Sequence, residues 1–187
     1  ARLDPQKDHG SLFKSIGAFF ADNKRAVFIL IGRKIHPDTP QVKEWIEQEN
    51  LQTHLLPNPN VTQPYTSGIL LLDERRDVDE LYRMMDICSL TSVSEASPNV
   101  LGEAMSSGVP CVSTDVGEAS RILGHTGHII RPGDTQALTQ RWSEMLDSSK
   151  AERTHISQQV RQRILDNFQT ENAAQSYIEL YERLVQT

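Results

Sequence analysis

Apolar residues along the chain switch between two spacings. Leu12, Ile16, Phe19 and Phe20 recur at i, i+4, i+7 and i+8, which places them on one helix face. Val27 to Ile31 is an unbroken apolar run ended by Gly32, the pattern of a buried strand. Val42, Trp45 and Ile46 mark a second amphipathic helix after a turn containing Pro37 and Pro40. Pro57, Pro59, Pro64 and Gly68 make residues 57–68 mostly loop, and Ile69 to Leu72 is the next strand. Asp77 is expected to cap a helix whose face is Leu81, Met84 and Met85. Ile87 to Leu90 reads as a strand. Asn99 is expected to cap a helix carrying Val100, Ala104 and Met105, with Gly108 as its left-handed end. Val109 to Ser113 and Gly127 to Ile130 are the last strands, the second ended by Pro132-Gly133.

From Thr135 onward the pattern is helical. Leu138, Trp142, Met145 and Leu146 form one face, and Ile156, Val160, Ile164 and Phe168 a second. Thr170 opens a third, with Ala174, Tyr177, Ile178, Tyr181, Leu184 and Val185 on one side. Tyr177, Tyr181 and Trp142 are expected to pack. Strands alternating with helices predict an α/β fold: a Rossmann-like parallel sheet with helices on both faces. Such sheets bind ligands beyond the carboxyl ends of their strands. Function is therefore sought in residues 1–10, 32–36, 73–77, 91–100 and 114–120.

The 187 residues suffice for one domain with its own core. With 37% hydrophobic and 24% charged residues the chain is neither a disordered polymer nor a membrane protein. Its longest apolar runs, Ala26 to Ile31 and Ile69 to Leu72, are too short to span a bilayer. A net charge of −6, with only the basic pairs Lys24-Arg25, Arg33-Lys34 and Arg75-Arg76, argues against nucleic acid as a partner. Cys88 and Cys111 sit in short apolar stretches, which suits free thiols in a reducing, cytoplasmic setting; one disulfide between them is the alternative. The chain begins Ala1-Arg2-Leu3-Asp4-Pro5 and is expected to be a piece of a longer protein.

The richest loop runs from Ser92 to Met105. Glu95 stands before a helix start and Glu103 eight positions on, with backbone N–H groups between them. An ionised carboxylate accepts from two neighbouring hydroxyls, and a helix N-terminus offers N–H donors to an anion. A nucleotide sugar presents both kinds of group. The other reading of the same pattern is two glutamates that complement a helix dipole. Arg2 and Lys7 place two cations within six residues, suited to a pyrophosphate or simply solvated. Asp77-Val78-Asp79 spells D-x-D, but two carboxylates are few for a hard divalent ion. The histidines His36, His54, His125 and His128 lack metal-ligand spacing, and His9 reads as a structural residue at a helix start. No G-x-G-x-x-G, Walker A or nucleophile-elbow pattern occurs.

The run from Ser94 to Gly117, Ser-Glu-Ala-Ser-Pro-Asn-Val-Leu-Gly-Glu-Ala-Met-Ser-Ser-Gly-Val-Pro-Cys-Val-Ser-Thr-Asp-Val-Gly, resembles the glutamate-x7-glutamate signature of retaining glycosyltransferase family 4. Three further stretches resemble that family in the same order: Arg2-Leu3 with Pro5, Lys7, Asp8 and His9; Arg76-Asp77-Val78 through Ile87; and Gly127-His128 through Leu138. The resemblance covers nearly the whole chain. It implies a GT-B fold, with residues 1–187 forming the C-terminal, donor-binding domain and 151–187 its C-terminal helices.

The implied roles follow the matching positions. Arg2 and Lys7 would hold the donor's phosphates and stabilise the departing nucleotide diphosphate. Glu95 would face the transferred sugar, and with Arg2 and Lys7 completes the implied catalytic set. Glu103 would bind the ribose hydroxyls. Backbone groups from Ser97 to Leu101, including Asn99, Val100 and Leu101, would meet sugar and phosphate. Gly32 counts among the donor-binding positions, and Arg75 would lie against the base. The donor would be a UDP- or GDP-sugar, with no cofactor or essential metal. The acceptor would be a glycan or lipid-linked hydroxyl, bound through an N-terminal domain that this sequence does not contain, and the full-length protein would touch a membrane only peripherally. The chain would also begin at the end of the family's first, central strand.

The chain departs from the family pattern at Arg33, Ala96 and Glu118, where glycine is frequent at or near the matching place. The activity implied is hexosyl transfer. The alternatives are a nucleotide-sugar-binding module inactive alone, and a sugar epimerase of the same fold.

Overall fold

The computed structural model describes residues 2–22, 24–54 and 66–185. The elements in chain order are α1 (His9–Ala21), β1 (Val27–Ile31), α2 (Pro40–Gln48), β2 (Thr53–His54), β3 (Gly68–Leu72), α3 (Val78–Tyr82), β4 (Cys88–Leu90), α4 (Asn99–Ser106), β5 (Cys111–Thr114), α5 (Ala119–Leu123), β6 (His128–Ile130), α6 (Thr135–Leu146), α7 (Lys150–Asn167) and α8 (Thr170–Val185). Most of the loop expected over 57–68 lies outside the described residues.

Among the described residues all strand pairs are parallel, but the strands form two sheets, ordered β1-β3-β2 and β4-β5-β6. Helices cover both faces, as the alternation of elements predicts. On one face Phe13, Ile16 and Phe19 of α1, Val42 of α2, and Leu138 and Trp142 of α6 share a core with Leu30, Ile69 and Leu71 of the first sheet and Val112 and Ile130 of the second. This layer joins the two sheets. On the other face α4, α5 and α7 pack over Cys88, Leu90 and Cys111, and Leu81 of α3 packs over Leu70 and Leu72. Each large side chain withdrawn from water contributes about 1.5–3 kcal/mol. This one apolar layer, bridged by α1 and α6, therefore holds the two sheets together, with no strand pairing between them among the described residues.

Several local expectations change. Asp77 precedes α3 without capping it, because its carboxylate is held by Arg75 instead. Asn99 is the first residue of α4 and Pro98 stands at the cap. Met84 lies beyond α3 and is exposed, while Leu81 is buried. Trp142 packs, donating from Nε1 to Ser89 Oγ at 2.8 Å. Tyr177 and Tyr181 do not pack inward; both are exposed on α8, which buries no residue. Cys88 and Cys111 are cross-strand neighbours in register, both buried and both free. Among the described residues no helix is long and apolar enough to cross a membrane.

Candidate functional site

The loops that leave the carboxyl ends of β1, β3 and β4 converge with the segment before α1. That segment is short and tightly turned. Asp4 caps a single 3-10 turn over Pro5–Lys7 by accepting from the Gln6 N–H at 3.0 Å, and Asp8 then adopts a left-handed conformation to cap α1. The turn is tied to both sheets. The Leu3 N–H donates to the Arg33 carbonyl after β1 at 3.0 Å, and the Val93 N–H after β4 donates to the Gln6 carbonyl at 2.8 Å. The Thr91 hydroxyl donates to the Lys7 carbonyl at 3.0 Å.

These bonds deliver Lys7 to Glu95. Lys7 Nζ donates to Glu95 Oε1 at 2.5 Å, with 25% and 15% of the two side chains exposed. Ser92 Oγ donates to the same oxygen at 2.7 Å. Burial alone would raise the Glu95 carboxyl, but the hydrogen bonds from Lys7 and Ser92 outweigh it and hold the group below its ordinary range. The Glu95 loop is clamped from behind. Buried Thr114 donates from Oγ1 to the Ser92 carbonyl at 2.6 Å, and the Glu118 N–H donates to the Ala96 carbonyl at 2.9 Å. Gly117, with φ +49°, lies so close that a Cβ there would collide with the carbonyls of Glu95 and Ala96.

Beside this cluster is a cleft of about 650 Å³ whose wall includes Arg2, Gly32, Arg75, Val100 and Glu103. Five of the nine sequence-predicted site residues thus share one cavity. Glu103 is exposed on α4 and accepts from the Tyr82 hydroxyl at 3.2 Å through Oε2. Tyr82 itself is buried, and burial together with the Glu103 charge pushes its hydroxyl well above the ordinary range, so it remains a donor. Arg75 binds Asp77 through Nε at 2.8 Å, and Arg2 pairs with Asp4 at 3.2 Å while staying largely exposed.

The remaining positions differ in what they can offer. Asn99 is exposed and begins α4. Leu101 is wholly buried in the core, and its N–H already donates to the Pro98 carbonyl at 3.1 Å. Among the described residues no group of three or more His, Cys, Asp or Glu side chains converges as a metal site. Sequence reasoning did not give roles to Ser92, Thr114, Tyr82 or Gly117. A glycine followed by a polar residue after a strand was the one local signal, at Gly117.

The arrangement presents fixed cations, one hydroxyl-accepting carboxylate held by a tyrosine, and a second carboxylate held by a lysine, all at the carboxyl ends of parallel strands. The sequence profile of the family described as "Glycosyl transferases group 1" matches residues 1–148. An N-acetyl-alpha-D-glucosaminyl L-malate synthase of Bacillus anthracis is 30% identical over 115 residues, which is 60% of this chain and 30% of that protein. The Vi polysaccharide biosynthesis protein VipC/TviE of Salmonella typhi is 33% identical over 114 residues, 59% of this chain and 20% of that protein. The structure of Anabaena Alr3699/HepE in complex with UDP-glucose superposes with a TM-score of 0.71 at 21% identity, covering 98% of this chain and 47% of that one. The chain therefore aligns with a third or less of the length of these curated relatives, and with about half of the solved structure.

Proposed function

The chain belongs to the glycosyl transferases group 1 family, and from that premise we propose that it is the donor-binding domain of a retaining, family 4-type glycosyltransferase. Its GT-B-type α/β fold is shared with the solved structure of HepE. The observation that carries the proposal is that Arg2, Arg75, Val100 and Glu103 line one cleft, which also runs along β1 and β4, beside the Lys7–Glu95 pair.

In this reading the nucleoside diphosphate sugar lies across the cleft. The Glu103 carboxylate accepts both ribose hydroxyls, with Tyr82 fixing its rotamer through Oε2. Arg2 and Lys7 meet the pyrophosphate, one as a planar fork and one as a point charge. As the glycosidic carbon–oxygen bond breaks, charge grows on the diphosphate, and cations already in place stabilise it without reorganisation. Removing one such donor typically lowers turnover about a hundredfold to a thousandfold. Glu95 faces the sugar and holds Lys7 at its post. The reading needs no metal ion. A hexose donor, a UDP or GDP carrier, and a glycan or lipid-linked acceptor bound by a further domain complete the proposal. HepE binds UDP-glucose and VipC/TviE is named for polysaccharide biosynthesis, which supports the carrier and the acceptor class. We place the reaction in the cytoplasm.

Calorimetric titration of the chain with UDP, GDP, ADP and their sugar conjugates tests the reading. Selective binding of one nucleotide, lost in Glu103→Ala, is the expected result. A folded chain that binds none of them, or a Glu103→Ala variant of unchanged affinity, would sink the assignment.

A further inference from the structure

A second cavity, of about 510 Å³, opens at the other end of the second sheet. Ile87 and Pro110, just before β4 and β5, and His128, at the start of β6, place it at the amino ends of those strands. It adjoins the donor cleft only through Met85, Asp86 and Ile87. Its volume falls within the range of about 300–1,000 Å³ usual for small-molecule sites.

One stripe of α7 forms a wall. Lys150, Arg153, Thr154 and Ser157 stand at i, i+3, i+4 and i+7, so they share a helix face, and all four line the cavity. The helix beneath them is fixed. Its Val160 and Ile164 are buried in the core with α4 and α5, and Ile156 packs against the same cluster. Gly108, after α4 with φ +81°, runs so close that a Cβ there would lie 2.6 Å from Ser157 Oγ. His125 and His128 add two imidazoles to the lining.

This wall carries charge that the fold does not consume. Among the described residues neither Lys150 nor Arg153 forms an ion pair or a side-chain hydrogen bond. The nearby acids are engaged elsewhere or few. Glu152 accepts from the Ser149 N–H at 2.8 Å in the box that caps α7. Glu144 of α6 holds Arg141 at 2.6 Å. Among the described residues Asp86 is the one carboxylate in the lining. Thr154 spends its hydroxyl proton on the Lys150 carbonyl at 2.9 Å, whereas the Ser157 hydroxyl has no hydrogen bond among the described residues. Burial first, and the Arg141 charge second, hold His128 below its ordinary range. At pH 7 it is therefore a neutral imidazole with one N–H.

We propose that this cavity binds a small phosphorylated metabolite, a phosphomonoester, with Lys150 and Arg153 as the cations and Ser157 and His128 as further donors to its phosphate.

A phosphomonoester carries about −1.5 to −2 charges at pH 7 and three acceptor oxygens. Two cations answer that charge, one as a planar fork and one as a point. The cavity is larger than a phosphate group needs. The body of the ester fills the remainder, against Pro110, Met145 and Ile156. The site is separate from the proposed donor site, since none of His125, His128, Lys150 and Arg153 lines the donor cleft. Pro110 at this cavity and Thr114, which braces the Glu95 loop, stand at the two ends of β5, about 13 Å apart at about 3.3 Å per residue.

Amide and imidazole NMR of the chain, titrated separately with fructose 6-phosphate, glycerol 3-phosphate, inorganic phosphate and free fructose, tests the proposal. The expected result is saturable shifts at residues 125–128 and 150–157 with at least one ester, weaker binding of inorganic phosphate, and no shift with fructose. Lys150→Ala and Arg153→Ala, both at exposed positions, should each raise the Kd of the ester about tenfold, the worth of a hydrogen bond to a charged group. Arg161→Ala, on the same helix but outside the cavity, should leave it unchanged. Shifts centred on residues 92–103 would give the anion to the donor cleft and overturn the proposal. Equal affinity for inorganic phosphate would mean an adventitious ion only, and would overturn it as well. So would an equal loss in Arg161→Ala, or no saturable shift with either ester up to about 10 mM.

Discussion

Lys7 and Glu95 lie 88 residues apart in the chain, yet Nζ of one stands 2.5 Å from Oε1 of the other, and Ser92 shares that oxygen. The pair joins the segment before α1 to the loop after β4. The proposed phosphate ligand is therefore held in place by the proposed sugar ligand before any donor arrives.

Lys7→Met and Glu95→Gln are each expected to cost about 1–3 kcal/mol, since each strands a largely buried partner. At about 2–4 °C per kcal/mol for a chain of this size, thermal melts resolve the effect. The double variant should lose less than the sum, because either change alone already breaks the pair. Additive losses would show that the contact contributes little.

The same pair sets an acid limb. The folded-state Glu95 carboxyl is depressed below its ordinary value, so its contribution is fully present above the unfolded value near pH 4.3 and is lost as pH falls through the folded one. Stability measured from pH 6 down to pH 2 should fall more steeply in the parent chain than in Glu95→Gln. Parallel curves would contradict the depressed carboxyl.

Tyr82→Phe removes only the hydroxyl that donates to Glu103 Oε2. The fold should persist, with nucleotide affinity reduced about three- to tenfold, the worth of one ordinary hydrogen bond. Calorimetry would show whether the loss stays well below that of Glu103→Ala, as a positioning role requires.

Thr114→Val keeps the buried shape and deletes the donor to the Ser92 carbonyl. A loss of about 1–3 kcal/mol is expected from the unsatisfied carbonyl, read by denaturant unfolding. An unchanged midpoint would mean that the Ser92 carbonyl finds another donor.

Gly117→Ala is expected to destabilise by about 1–3 kcal/mol, because it adds a Cβ at a left-handed residue against the Glu95 and Ala96 carbonyls. Gly102→Ala, inside α4 with open space around the added carbon, should be neutral or stabilising by up to about 1 kcal/mol. If both changes behave alike, the clamp behind Glu95 is not where the geometry puts it.

Periodicity in the sequence by itself determined the longer helices, four of the strands nearly to their ends, the parallel α/β class and the loops that carry the site. These follow from side chains a few residues apart, whose spacing reports the face they share. The two glutamates were singled out by the resemblance to a family signature, because their spacing alone left the helix-dipole reading open. Contacts between distant segments decided the rest. The two-residue β2 exists only as a partner of β3, and five-residue α5 is too short to leave a period. Asp77 gave up its cap for Arg75, and Pro98 took the cap position from Asn99, because local preferences yield to whichever partner the fold brings nearest. Tyr177 and Tyr181 form an apolar face that nothing in the described chain covers, since periodicity reveals a face but not what it meets. The pairing of Lys7 with Glu95, the Tyr82 bond to Glu103 and the Thr114 brace are relations across 20 residues or more. No local pattern encodes such relations, and only the packed sheet and its two helical layers bring the partners within bonding distance.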